Sequence, residues 1–178
     1  MSPAITPFYE SVALVFDGRP QAVQSARAVR VGRFIKMFQP KEILEWKTYI
    51  KLRARTLLQD RYPGFKPFAA VPLAVRVTYF FDAPQSLKAA QLHAIEHGAL
   101  VYKATRPDVS DNLNKGLFDA LTGVLWQDDG LIARIEARKL YTATGPRTEL
   151  VCGLAEALAP AQARAQAESA APFAPTLF

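Results

Sequence analysis

Cysteine is nearly missing from these 178 residues: Cys152 stands alone, which excludes a disulfide framework and leaves no partner for a thiol redox couple. It lies in the apolar run Leu150-Val151-Cys152, the setting of a buried structural thiol. Histidine is almost as scarce, with only His93 and His97. His93-Ala94-Ile95-Glu96-His97 spells a short zinc-protease pattern, but three fixed letters recur by chance and the motif needs a further acidic ligand in a much larger fold. An exposed helical face is the expected reading. Long hydrophobic runs are missing too. The longest apolar stretch, Val71 to Phe81, is broken by Arg76 and falls short of the roughly 20 residues a membrane helix needs, so no membrane partner is expected. Met1 to Tyr9 show no basic segment followed by an apolar one, hence no secretory signal and an expected cytoplasmic address. A Gly-rich phosphate loop and internal repeats are also missing.

The residues present describe an ordinary globular chain, 50% hydrophobic and 21% charged, long enough for one domain with its own core. After Glu156 the composition turns to Ala, Gln and Pro, with Pro160 interrupting any helix. We expect a domain over residues 1–155 and a flexible tail over 156–178. The net charge of +6 suits a polyanionic partner, and its distribution matters more than its size. Residues 1–61 hold eleven Lys/Arg against five Asp/Glu, whereas residues 101–139 hold six of each, including Asp108, Asp111, Asp119, Asp128 and Asp129. A basic third precedes an acid-rich segment. Nuclease chemistry divides its charge this way, with cations holding phosphates and carboxylates holding a metal.

Val12, Leu14 and Phe16 alternate with other residues and run into Asp17-Gly18-Arg19-Pro20, a strand ending in a turn. A poorer strand covers Val29 to Lys36. Pro40 opens a helix in which Ile43, Trp46, Ile50 and Leu57 recur at helical spacing while Lys47, Lys51 and Arg55 stack on another face. Val71, Leu73, Val75, Val77, Tyr79 and Phe81 form the clearest strand and a central one. Ser86 caps a helix from Leu87 to His97 that Gly98 ends. Another helix runs from about Asn112 to Leu121, burying Leu113, Leu117 and Leu121, with Gly123 ending it. Leu131 to Leu140 and Thr148 to Cys152 read as two strands of a hairpin. The pattern predicts a single α+β domain with a mixed β-sheet packed against helices.

The chemistry concentrates in Arg106-Pro107-Asp108-Val109-Ser110-Asp111-Asn112-Leu113-Asn114-Lys115, then Phe118-Asp119-Ala120-Leu121-Thr122-Gly123, then Trp126-Gln127-Asp128-Asp129. This segment resembles the RusA-type Holliday-junction resolvases, whose signature is similar to Pro-Asp-x-Asp-Asn-Leu-x-Lys, Asp-Ala-Leu-x-Gly and Trp-x-Asp-Asp in this order. Weaker echoes at Asp17 to Pro20, Pro84, Arg138-Lys139 and Pro146 to Glu149 extend the resemblance over roughly residues 12–152. It implies a RusA-like fold and a homodimeric, metal-dependent endodeoxyribonuclease that acts on branched DNA. It further implies that Asp108, Asp111 and Asp129 ligate Mg²⁺, with Mn²⁺ as a substitute, and that Lys115 is needed for cleavage. Physical chemistry agrees. Two carboxylates about 4 Å apart repel by roughly 4 kcal/mol at an effective dielectric of 20 unless a cation sits between them, and Mg²⁺ takes hard oxygen ligands while keeping waters. Rival readings are a less selective nuclease acting on branched nucleic acids and a DNA-binding protein of the same fold that no longer cuts.

Strand parity offers an independent expectation. If the chain is extended from Asp129, then Asp129, Leu131, Ala133, Ile135 and Ala137 share the apolar face and Asp128, Arg134, Glu136 and Arg138 the solvated one, which favours Asp129 as the ligand. Asp111, Lys115 and Asp119 are spaced as a helix cap with ion pairs, and Asp119 keeps that structural reading. For DNA the candidates are Arg27, Arg30, Arg33, Lys36, Lys47, Lys51, Arg55 and Arg106. Finally, Asp108 and Asp111 are separated by one residue more than in Asp-x-Asp. An extended segment would throw them onto opposite faces about 10 Å apart at roughly 3.3 Å per residue, so a kink or tight turn is expected at Val109-Ser110, bringing Asp108, Asp111 and Asp129 together.

Overall fold

A computed structural model describes residues 9–23, 27–31, 33–38 and 40–156, with the side chains at 27–31, 35–38 and 111 outside the description. The expected flexible tail therefore lies outside the described residues beyond Glu156. Four strands form the main sheet: β1 (Ser11–Asp17), β4 (Leu73–Asp82), β5 (Ile132–Thr142) and β6 (Arg147–Leu154), in the order β1-β6-β4-β5. A separate two-stranded sheet pairs β2 (Arg27–Val31) with β3 (Phe34–Phe38). Three helices complete the domain, α1 (Lys41–Arg61), α2 (Ala89–Glu96) and α3 (Asn114–Leu121). The architecture is the single α+β domain with a mixed sheet that the sequence predicts.

Register explains the core. Across the sheet run the rows Val12-Cys152-Val75-Ile135, Leu14-Leu150-Val77-Ala137 and Phe16-Thr148-Tyr79-Lys139, and side chains at paired positions share a face. α1 and α3 pack over this face, with Ile50, Ala54 and Leu57 from α1, Leu117 and Leu121 from α3 and Leu113 from the turn just ahead of α3, all buried. The first two rows are apolar, while the third ends in Thr148, Tyr79 and Lys139. Polar chemistry thus begins at one end of an otherwise oily layer. Tyr79 and Asn114 settle it by a buried hydrogen bond, the phenol donating to Asn114 Oδ1 at 2.9 Å, and burial pushes the Tyr79 phenol up. Burial also pushes the Cys152 thiol up to about 12, which fits its expected structural role.

Four expectations need correction. β5 and β6 do not form a hairpin with each other, because β4 lies between them, parallel to β5 and antiparallel to β6. β4 is buried along nearly its whole length, and a strand buried this fully needs a neighbour on each edge; residues 143–146 cross over it. The strand expected over Val29 to Lys36 is two strands, with the pair Val31–Phe34 closing a hairpin where Gly32 interrupts the sequence pattern. α2 begins at Ala89 and not at Leu87, and the turn is closed by Gln91, whose Oε1 accepts from Lys88 N at 3.4 Å, in place of Ser86. The chain is not extended at Asp129, since Asp129–Leu131 form a 3₁₀ turn ahead of β5. Parity counted from Asp129 therefore fails at its first step. Ile135 and Ala137 do share the inner face, but β5 is an edge strand and leaves Ile135 50% exposed.

Candidate functional site

The connection from β4 to the parallel strand β5 must return the chain to the starting end of the sheet. It does so through α2, a loop and α3, and the acid-rich motif lies on this return. Just ahead of α3, Val109–Leu113 form a single π-helical turn, with Leu113 N donating to Asp108 O at 3.3 Å across five residues. A π turn encloses one more residue than an α turn, and such turns concentrate at functional sites. The tight turn expected at Val109-Ser110 is thus present, as a helical bulge and not as a kinked strand. It spans the segment in which this chain exceeds the Asp-x-Asp spacing by one residue.

Asp108 opens that turn. Its Oδ1 accepts from Asn112 N at 3.0 Å, and its Oδ2 from the Asn112 side-chain amide. The carboxylate is therefore held by both donors of one residue. A carboxylate offers about four lone-pair sites, so this grip orients Asp108 without exhausting its acceptor capacity. On the other side stands Lys139, whose ammonium donates to Pro107 O at 2.6 Å and Thr105 O at 2.8 Å. Desolvation pulls the Lys139 pKa down, repulsion from Lys103 adds to this, and the Asp108 charge opposes both. Lys103 itself lies 5.3 Å from the Phe81 ring centroid and 5.6 Å from that of Tyr141.

These groups border an open cleft of about 680 Å³, lined by Arg19, Pro20, Gln21, Ala22, Phe81, Arg106, Pro107, Asp108 and Asn112. Arg19 reaches it because Gly18, at φ +98, turns the chain out of β1, and Val23 N then donates to Asn112 O at 3.0 Å. Two guanidinium groups consequently share a cleft with the Asp108 carboxylate. Arg106 is there as the sequence suggests, while Arg19, Asn112 and Lys139 carry no predicted role although each falls in or beside a quoted motif.

The other candidates divide. Lys115 is exposed on the first turn of α3. Lys47 is only 18% exposed along its side chain and pairs with Asp119 at 2.9 Å, joining α1 to α3, so Asp119 has the structural role expected of it. Lys51, Arg55 and Arg33 are exposed. The side chains of Arg27, Arg30, Lys36 and Asp111 lie outside the described residues, and so does the way Asp111 stands to Asp108 and Asp129. His93 and His97 stack at 4.0 Å on α2, which buries no residue. Among the described residues no group of three or more His, Cys, Asp and Glu converges.

Asp128 and Asp129 sit far from the cleft. Asp128 caps the 3₁₀ turn, its Oδ1 accepting from Gly130 N at 2.7 Å, whereas Asp129 is exposed and makes no side-chain hydrogen bond or ion pair among the described residues. The turn precedes β5, and Asp108 lies beside Lys139 near the strand's other end. From Ile132 to Lys139 the strand is about 23 Å long at roughly 3.3 Å per residue. Within one chain Asp108 and Asp129 therefore occupy opposite ends of the sheet.

One open cleft of this small α+β domain is thus lined by a carboxylate, Asp108, and two guanidinium groups, Arg19 and Arg106. The chain belongs to the RusA endodeoxyribonuclease family, whose family model matches residues 17–151, and it is accordingly a nuclease of the kind that resolves Holliday junctions. A search of curated proteins returned no match. No helix among the described residues is long and apolar enough to cross a membrane.

Proposed function

We propose that this protein is a cytoplasmic, metal-dependent resolvase that cuts four-way DNA junctions by paired hydrolysis, acting as a homodimer. The observation that carries the reading is the cleft in which Asp108, oriented by Asn112, faces Arg19 and Arg106. The donor set suits a hard divalent cation, because Asp108, Asp111 and Asp129 supply only carboxylate oxygens. Mg²⁺, or Mn²⁺ in its place, would supply an activated water and charge neutralisation when bound. Arg19 and Arg106 hold phosphate oxygens by charge-assisted hydrogen bonds, Asn112 and Lys139 fix the segment bearing Asp108, and Lys115 stabilises charge developing at phosphorus.

The separation of Asp108 from Asp129 supports the dimer. A site using both carboxylates draws them from different chains, and a two-fold pair of chains then carries two equivalent sites, matching the symmetry of a four-way junction. Incubating the protein with labelled four-way junction, linear duplex and single strand, with Mg²⁺ or with chelator, tests the whole reading. Paired nicks that require metal and a junction support it. Cutting of all three substrates makes the protein a less selective nuclease, and junction binding without nicks makes it a binding protein only.

A further inference from the structure

We propose that the β2–β3 hairpin is the element that reads the branch point, with Phe34 stacking on a base exposed where the DNA arms part. The inference rests on the proposed function and adds the residue that distinguishes a junction from a linear duplex. Phe34 is the most exposed large hydrophobic residue among those described, at 73%. It stands in the closing pair of the hairpin, opposite Val31, next to exposed Arg33. The two strands pair with each other and with no strand of the main sheet, so packing in the domain does not account for an aromatic residue at this tip.

Charge identifies the occupant. Between Asp17 and Glu42 the sequence holds Arg19, Arg27, Arg30, Arg33, Lys36 and Lys41 and no acidic residue, which fits a phosphate backbone and opposes docking onto another copy of the same basic segment. The hairpin also follows the cleft wall closely in sequence. Residues 19–22 line the cleft, and Val23, four residues before β2, is bonded to Asn112 beside Asp108. Aromatic side chains stack on exposed base faces with little regard for sequence, and an intact duplex presents none along its length, whereas an open four-way junction unstacks the base pairs at its crossover.

The test compares Phe34→Ala, Phe34→Trp and the natural protein on a four-way junction and a linear duplex of equal length, in chelator so that binding is read alone. 2-Aminopurine at the branch point reports stacking. Phe34→Ala is expected to lower the ratio of junction to duplex affinity on the order of tenfold and to abolish the change in 2-aminopurine emission, with Phe34→Trp restoring both. Phe34→Ala binding both DNAs with the natural ratio overturns the inference while leaving the proposed function standing. A shift of Phe34→Ala toward a smaller assembly in sedimentation, with the ratio kept, overturns it as well and makes the tip a contact between copies. If the natural protein shows no junction preference, the proposed function falls first and this inference with it.

Discussion

Neighbouring aspartates carry different duties at the head of β5. Asp128 uses its side chain to cap a turn, and Asp129 keeps an exposed carboxylate. Asp129→Asn is expected to abolish metal-dependent nicking while leaving junction binding and urea stability unchanged. Asp128→Ala should lose about 1 kcal/mol of stability, the usual worth of a cap, and cut with near-natural kinetics; equal loss of nicking in both would refute the division. Sequence parity reaches the same preference by a route the structure does not follow, because a 3₁₀ turn replaces the assumed strand. Lys139, which the sequence marks only through the Arg138-Lys139 echo, is a positioning residue in the proposed function because its ammonium lies on Thr105 O and Pro107 O. Lys139→Met, which keeps the stem's bulk, should lower the single-turnover nicking rate about tenfold or more and raise the Mg²⁺ concentration needed for half-maximal rate, since hydrogen bonds from a charged donor are worth roughly 1.5–3 kcal/mol each. An unchanged rate and metal requirement would leave Lys139 with no part in holding the loop.

At the scale of elements, legibility follows the range of the interactions involved. α1 and α3 declare themselves through apolar spacing, and β4 through alternation, because each pattern is local and strong. Pairing partners do not: nothing in Ile132–Leu154 says that β4 intervenes between two strands joined by a four-residue link, which is a decision of the whole sheet. The π turn lies between these cases, since an extra residue before α3 is readable and its conformation is not. Deleting Ser110 tests that turn. If the turn accommodates the extra residue, the deletion should leave nicking unchanged or reduced, and a gain of tenfold or more would show an impaired natural enzyme. A second contact depends on a missing side chain. A methyl group on Gly116 would overlap Val23 and approach Trp46 to 3.4 Å, so Gly116 lets the cleft wall lie directly on α3. Gly116→Ala should cost about 1–3 kcal/mol of stability by overpacking and lower junction nicking. Val23→Ala in the same chain should recover most of the stability, and failure to do so in urea titrations would place the strain elsewhere.

At the scale of the molecule, the topology itself constrains the chemistry. A parallel pair joined through a helix brings the chain back to where the first strand began, so residues before and after that helix end at opposite ends of the strands. Asp108 precedes the return and Asp129 follows it. If both serve one metal, no single chain can complete the site, and the expected consequence is complementation between two dead variants. Asp108→Asn and Asp129→Asn homodimers should each be inactive. In a mixed dimer, one site combines both substituted residues, while the other combines the natural Asp108 of one chain with the natural Asp129 of its partner. Co-refolding the variants should therefore restore single nicks in junction DNA, at up to about half the per-dimer rate of the natural protein, and without the paired cuts that need two intact sites. Were each chain to build its own site, every site in the mixture would lack one carboxylate and nicking would stay at the level of the homodimers. Tagging the two variants differently and purifying the mixed species separates these outcomes from a failure of the chains to exchange.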